Sequence, residues 1–250
     1  YTFKLPAGMI LDRSGNAFEG TEFSFTTMDR KQPEAKVYDA VVAQDGTGDY
    51  TTVQAAIDAA PANRVKPWLI FIKEGTYKEH VVLPSNKPYL YFIGQGRDKV
   101  FISDDKLCGG SNALSVDKGA TFVAHAANLY FEGLSFVNSS GVEKNDGPQA
   151  LALNTENDRI VFNKVGMYSY QDTWITTSKS NYRHYVKDSF IEGAVDFIYN
   201  SGNVYFDNDT LNIVRKSGGY IVAPSHQKDV EWGYAVSYTH LRAHETTLHL

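Results

Sequence analysis

FEGLSF (Phe131–Phe136) sets a pattern that returns as FNKVGM (Phe162–Met167), VKDSFI (Val186–Ile191) and FDNDTL (Phe206–Leu211). Each copy begins with an aromatic or β-branched residue. A turn-prone or polar residue follows two positions on, and an apolar one five positions on. The starts are 31, 24 and 20 residues apart (162−131, 186−162, 206−186). Short strands recurring at intervals of about 20 to 30 residues suit a solenoid, in which each coil buries its apolar face only by stacking on the next. An antiparallel sandwich would need tight two-residue turns of the Asp-Gly kind. The Asp-Gly pairs stand at 45–46 and 146–147, away from these repeats. The pattern therefore predicts an all-β chain wound as a parallel β-helix.

Outward from the repeats, WLIFI and YLYFI read as earlier strands, and helical periodicity is confined to TTVQAAIDAAP. There Thr51 and Thr52 offer a cap, Val53, Ala56, Ile57 and Ala60 share a face, and Pro61 ends a short N-terminal capping helix. Residues 1–29 finish in the Ser-Gly-Asn turn and the Phe23, Phe25 alternation of a strand, resembling the end of the immunoglobulin-like domains that bacterial surface and secreted proteins carry. Residues 30–36 read as a polar linker and 37–236 as the solenoid.

Composition excludes several classes. The chain has 250 residues, 42% hydrophobic, with 24 basic against 29 acidic side chains and a formal net charge of −5. That is enough apolar material for a sizeable core, with no basic footprint for nucleic acid. No apolar run is long enough to span a membrane. Cys108 stands alone and reads as a small buried hydrophobe. The histidines share no ligand spacing, HETTLH is one residue too long for the zinc-protease pattern, and GQGRDK lacks the third glycine of a dinucleotide loop. No metal or cofactor is expected.

The same repeat register brings out a polar column. Asp172 lies ten residues after Phe162, and Asp196 lies ten after Val186. Gln149 lies 18 after Phe131, and removing the eight polar residues SSGVEKND leaves ten, with Gln171 beside the column. Stacked coils lie about 4.8 Å apart, so equal offsets mean near neighbours. Two adjacent carboxyls resist simultaneous ionisation, which separates an acid from a nucleophile. Amide groups donate to a developing oxyanion. An Asn/Asp ladder serving only turn backbones is the competing explanation.

In order and spacing, DGTGDYTTVQAAIDAAP, FIKEGTYKE, GPQALAL, YQDTW and GAVDFIYN closely resemble the pectin methylesterases, carbohydrate esterase family 8, over about residues 37 to 236. The resemblance implies a right-handed parallel β-helix and hydrolysis of the C6 methyl esters of galacturonate units in pectin, without a metal. Asp196 would be the nucleophile, Asp172 the acid and base, and Gln149 and Gln171 the oxyanion donors. Tyr170, Trp174, Phe197 and Trp232 are candidate sugar platforms. A secreted, cell-surface or periplasmic monomer acting on the polysaccharide is expected, with no nucleic-acid or membrane partner. A glycoside hydrolase on the same fold and a non-catalytic carbohydrate-binding or adhesin solenoid are the alternatives. A calcium-dependent lyase would need a further carboxylate cluster and a basic residue, for which no clear set exists. The family carries an arginine in a Leu-Gly-Arg-Pro-Trp motif after the point matching YIVAPSHQKDVEWGYAV, and no such motif occurs here. SYTHLRAHETTLHL, residues 237–250, is expected to be a non-native tail resembling translated adapter read-through. Arg242 and Arg215 sit in the wrong places to replace that arginine. Weak or no activity, an exposed edge where the final coils are absent, poor packing of residues 237–250 and a tendency to aggregate are the expectation for the chain as written.

Overall fold

A computed structural model describes residues 1–26, 38–108, 114–140, 149–215, 218–225, 233–236 and 242–244. The chain divides into two units, 1–37 and 38–250; the expected linker, 30–36, lies outside the described residues. In the first, Thr2–Leu5 and Thr21–Ser24 pair antiparallel. One face is polar, with Thr2 bonded to Ser24 and Lys4 paired with Glu22. On the other face Phe3 and Phe23 sit with ring centroids 5.1 Å apart.

The second unit is a parallel β-helix of three stacked sheets. The first sheet runs through eight strands from Ala40–Val42 to Tyr234–Val236, and the second through seven from Gly75–Lys78 to Arg242–His244. Six strands from Val81–Leu83 to Val222–Pro224 form the third. Every pairing in them is parallel, so the chain must cross over between neighbours, and right-handed crossovers are the rule. Phe131 pairs with Phe162, Phe162 with Val186, and Val186 with Phe206, which is the register of the sequence repeat.

The runs read as single strands are each two strands, on different sheets, joined by a corner. LYFEGLSF divides into Leu129–Glu132 and Ser135–Asn138, and RHYVKDSFI into Arg183–Lys187 and Phe190–Gly193. The turn-prone template position is the corner itself: Gly133, Lys164, Asp188 and Asn208 all have φ between 50° and 63°. Left-handed backbone suits Gly, Asn and Asp, and Lys164 adopts it at some cost.

Inside, Phe92, Phe131 and Phe162 stack at 4.9 and 5.3 Å with nearly parallel rings. Val186 interrupts the column, and the Trp174 indole stands edge-on between Phe162 and Phe206. The helix Val53–Ala59 covers the N-terminal end as expected, with Val53, Ala56 and Ile57 buried. Thr52 accepts from Ala55 N, and the Glu79 carboxylate takes the N–H groups of Val53 and Gln54 at 2.8 and 3.0 Å. Arg242–His244 pairs with Thr210–Asn212 as a further rung. No strand was expected there, because the segment lacks the side-chain template; backbone pairing needs only the edge that Thr210–Ile213 presents.

Candidate active site

The predicted polar residues gather where the chain passes from the second sheet to the third. Gly166–Tyr168 ends the second-sheet strand of one coil and Trp174–Ile175 begins its third-sheet strand, with Gln171 and Asp172 in the corner between. In the next coil Val195 and Asp196 fill the same corner between Phe190–Gly193 and Ile198–Asn200. Gln171 bridges Val195, and Trp174 pairs with Ile198, so the offset is 24 throughout and Asp172 lies in register with Asp196. Both aspartates have left-handed backbone, φ 61° and 50°. Repeated strain at equivalent positions, held by Asp172 N donating to Val195 O at 3.1 Å, is the kind a packed scaffold maintains at functional sites.

Gln149 requires a correction. It bridges Gln171, not Asp172, so it occupies the neighbouring column, Gln149–Gln171–Val195. Phe131 and Phe162 are in register, yet Gln149 follows the first by 18 residues and Gln171 follows the second by 9. The longer coil therefore carries nine extra residues, one more than the SSGVEKND count. The amide remains beside the acid, because Gln149 pairs with Gln171, the residue next to Asp172, and its side chain pulls the Asp172 carboxyl down against the rise from burial.

Asp172 is 5% exposed, whereas Asp196 is half-buried. Burial pushes the Asp172 carboxyl up to about 7, the neighbouring Asp196 charge adds to the rise, and the Gln149 hydrogen bond opposes it. Asp172 thus keeps its proton towards neutral pH. The sign of the stability effect follows from its ordinary value of 3.8. Below that value both folded and unfolded chains hold the proton. As pH rises through 3.8 the unfolded chain releases it while the folded one retains it, so stability falls until about 7 and the full cost persists above. Asp172→Asn, which cannot ionise, should exceed the parent in stability by about 4 kcal/mol at pH 8. That advantage should vanish by pH 3. Urea unfolding at both pH values measures it, and a gap that did not close on acidification would refute the assignment.

Three of the four expected sugar platforms are not available. Trp174 and Phe197 are fully buried core residues, and Tyr170 is 6% exposed. The Trp174 Nε1 donates inward to Thr155 Oγ1 at 3.0 Å. Lying beside an acid in sequence does not decide which way an aromatic faces, and the backbone after each corner turns Trp174 and Phe197 into the core. Trp232 lies outside the described residues, as does the Arg242 side chain. On the outer surface instead is Tyr199, half-buried and packed against Cys108, Val123 and Leu151. Burial, then the Asp172 charge, raises its hydroxyl above the ordinary tyrosine value.

Asp117, His125 and Glu156 converge although their sequence spacing gave no hint of it. Ala124 and Thr155 are paired, which stacks the residues that follow them, and His125 Nδ1 lies 2.7 Å from Glu156 Oε2. This is a surface hydrogen bond with a second carboxylate nearby, Asp117 Oδ1 lying 3.9 Å from His125 Nε2.

The second unit is thus a three-sheet parallel β-helix with two carboxyls and two amides gathered at one corner. The pectinesterase family model matches residues 39–245, and the chain belongs to that family. It is 37% identical over 194 residues to a pectinesterase/pectinesterase inhibitor of Prunus persica, covering 77% of this chain and 35% of that protein. It is 34% identical over 195 residues to the probable pectinesterase 56 of Arabidopsis thaliana, covering 76% and 65%. Among solved structures it resembles the pectin methylesterase from carrot, with TM-score 0.74, 27% identity, and 85% of this chain and 65% of that one covered. A pectin methylesterase in complex with a hexasaccharide matches with TM-score 0.72 and 27% identity, over 84% and 66%. The chain thus spans about a third of the Prunus relative's length and about two thirds of these structures.

Proposed function

We propose that the chain hydrolyses methyl esters of galacturonate units in pectin, releasing methanol and leaving acidic pectin. The observation that carries this reading is the register of Asp172 with Asp196, beside the Gln149–Gln171 column. The half-buried Asp196 attacks the ester carbonyl, and the two glutamine amides receive the charge that develops on its oxygen. Asp172 donates its proton to departing methanol, then takes one from the water that hydrolyses the acyl-enzyme, restoring both carboxyls. No step needs a metal. Paired carboxyls alone would serve a glycosidase equally well, but oxyanion donors have no purpose at a glycosidic bond. The substrate is wall polysaccharide, which places the enzyme outside the cell; no helix among the described residues is long and apolar enough to cross a membrane.

Highly methylated pectin incubated with the protein should yield methanol without new reducing ends. Chain cleavage with ester content unchanged would favour the glycosidase. Gln149→Ala should lower kcat about a hundredfold with little change in KM, because an oxyanion donor acts in the transition state. A change confined to KM would place Gln149 in ground-state binding instead.

A further inference from the structure

Four consecutive carbonyls, Gln149 to Ala152, are each held from outside their own coil segment. Cys108 N donates to Gln149 O at 2.9 Å, Thr121 N to Leu151 O at 2.9 Å, and Phe122 N to Ala152 O at 3.1 Å. Ser169 Oγ donates to Ala150 O. These are rung-to-rung bonds of the kind every coil makes, with one addition. Asn138, fully buried at the end of Ser135–Asn138, donates one Nδ2 hydrogen to Lys106 O at 2.8 Å and the other to Leu151 O at 3.1 Å. Its amide ties the Lys106–Cys108 rung to the segment that begins with Gln149.

The rung has no slack on its other side. A Cβ on Gly119 would stand 2.5 Å from Cys108 Sγ and 2.8 Å from Leu107 O. Gly119 closes the short helix Val116–Gly119, and its missing side chain lets residues 107 and 108 lie flat beneath Gln149. Cys108 is thereby fixed between Gly119 below and Gln149 above, while Asn138 fastens the same rung laterally. A buried amide with both hydrogens engaged is costly to lose, since Lys106 O loses this donor and Leu151 O keeps only the bond from Thr121 N.

We propose that Asn138 is a positioning residue for Gln149: its two-carbonyl bridge, with the Gly119 seat, sets where the Gln149 amide lies relative to Asp172. This rests on the reading of Gln149 as an oxyanion donor, but the positioning itself is measurable without turnover. Asn203 supplies a matched control. It makes the same bridge, Nδ2 to Ser180 O at 2.9 Å and to Tyr182 O at 3.3 Å, in a turn leading into the first sheet.

The test compares Asn138→Ala and Asn203→Ala in the full chain. Asp172 titration is followed by NMR of carboxyl-labelled aspartate, and methanol release is followed on methylated pectin. Removing the Asn138 bridge should loosen the Gln149 hydrogen bond that lowers the Asp172 midpoint, so that midpoint should rise by about half a unit or more. In the same variant kcat should fall about tenfold with KM within about twofold of the parent. Asn203→Ala should change neither. Asn138→Ser keeps one donor and serves if the alanine variant does not fold, and Gly119→Ala, acting on the rung from the opposite side, should shift the midpoint the same way. An unmoved Asp172 midpoint in the folded Asn138 and Gly119 variants overturns the proposal, as does an equal shift in Asn203→Ala. A shifted midpoint in a protein that releases no methanol would remove the proposed activity and leave the positioning role standing.

Discussion

Asp196→Asn is expected to reduce methanol release by about a thousandfold or more, the largest effect of any single substitution in this chain. The change is nearly isosteric and removes only the attacking carboxylate oxygen. It is also the substitution best suited to the backbone, because Asp196 sits at φ 50° and asparagine tolerates that region where alanine does not. Loss of rate in Asp196→Asn therefore reports chemistry, whereas Asp196→Ala would mix chemistry with strain. A second readout comes from the partner. Removing the Asp196 charge takes away one of the two causes that raise the Asp172 carboxyl, so its midpoint should fall from about 7 towards the ordinary range, burial keeping it above 3.8. An intact rate in Asp196→Asn would eliminate it as nucleophile. An unchanged Asp172 midpoint would show that the two carboxyls are not neighbours.

Repetition made the coil register readable, because each coil must present the same offset to its neighbours. Phe131, Phe162, Val186 and Phe206 stack as their spacing implied, and the polar residue two positions on proves to be the left-handed corner. The aspartate pair was readable for the same reason, since no insertion separates their coils from the repeat. Gln149 slipped by one because the enlarged coil gains nine residues, and a count of polar letters cannot tell which of them pair. Asn138 escaped notice altogether: it follows Ser135, Phe136 and Val137 as an ordinary strand-ending polar residue, and its partners at 106 and 151 are distant in sequence. Asp117, His125 and Glu156 were hidden similarly, by a rung pairing of Ala124 with Thr155 that only the coil dimensions define. The aromatics failed for a different reason. A residue beside an acid can face either way, and which way depends on the corner geometry at Asp172, not on composition.

Trp174 is where that misreading has the largest energetic consequence. As a sugar platform it would be dispensable for folding, and Trp174→Ala would raise KM while leaving stability nearly unchanged. As the structure has it, the indole fills the space opened where Val186 replaces a phenylalanine in the internal column. Its ring lies 5.4 Å from Phe162, 5.8 Å from His184 and 6.4 Å from Phe206. Truncation would leave a cavity that stiff parallel coils cannot close by sliding, because each is hydrogen-bonded above and below. Trp174→Ala should therefore cost about 3–5 kcal/mol. Thr155 would lose the Nε1 donor but keep its own bond to Thr176 O at 2.9 Å, so the hydroxyl adds little to the loss. Trp174→Phe, which retains an edge-on ring and leaves a smaller void, should cost distinctly less. Urea unfolding of the three proteins, with KM measured where each remains folded, separates the two roles: a stable Trp174→Ala protein with raised KM would return Trp174 to the substrate, and a destabilised one with parental KM keeps it in the core.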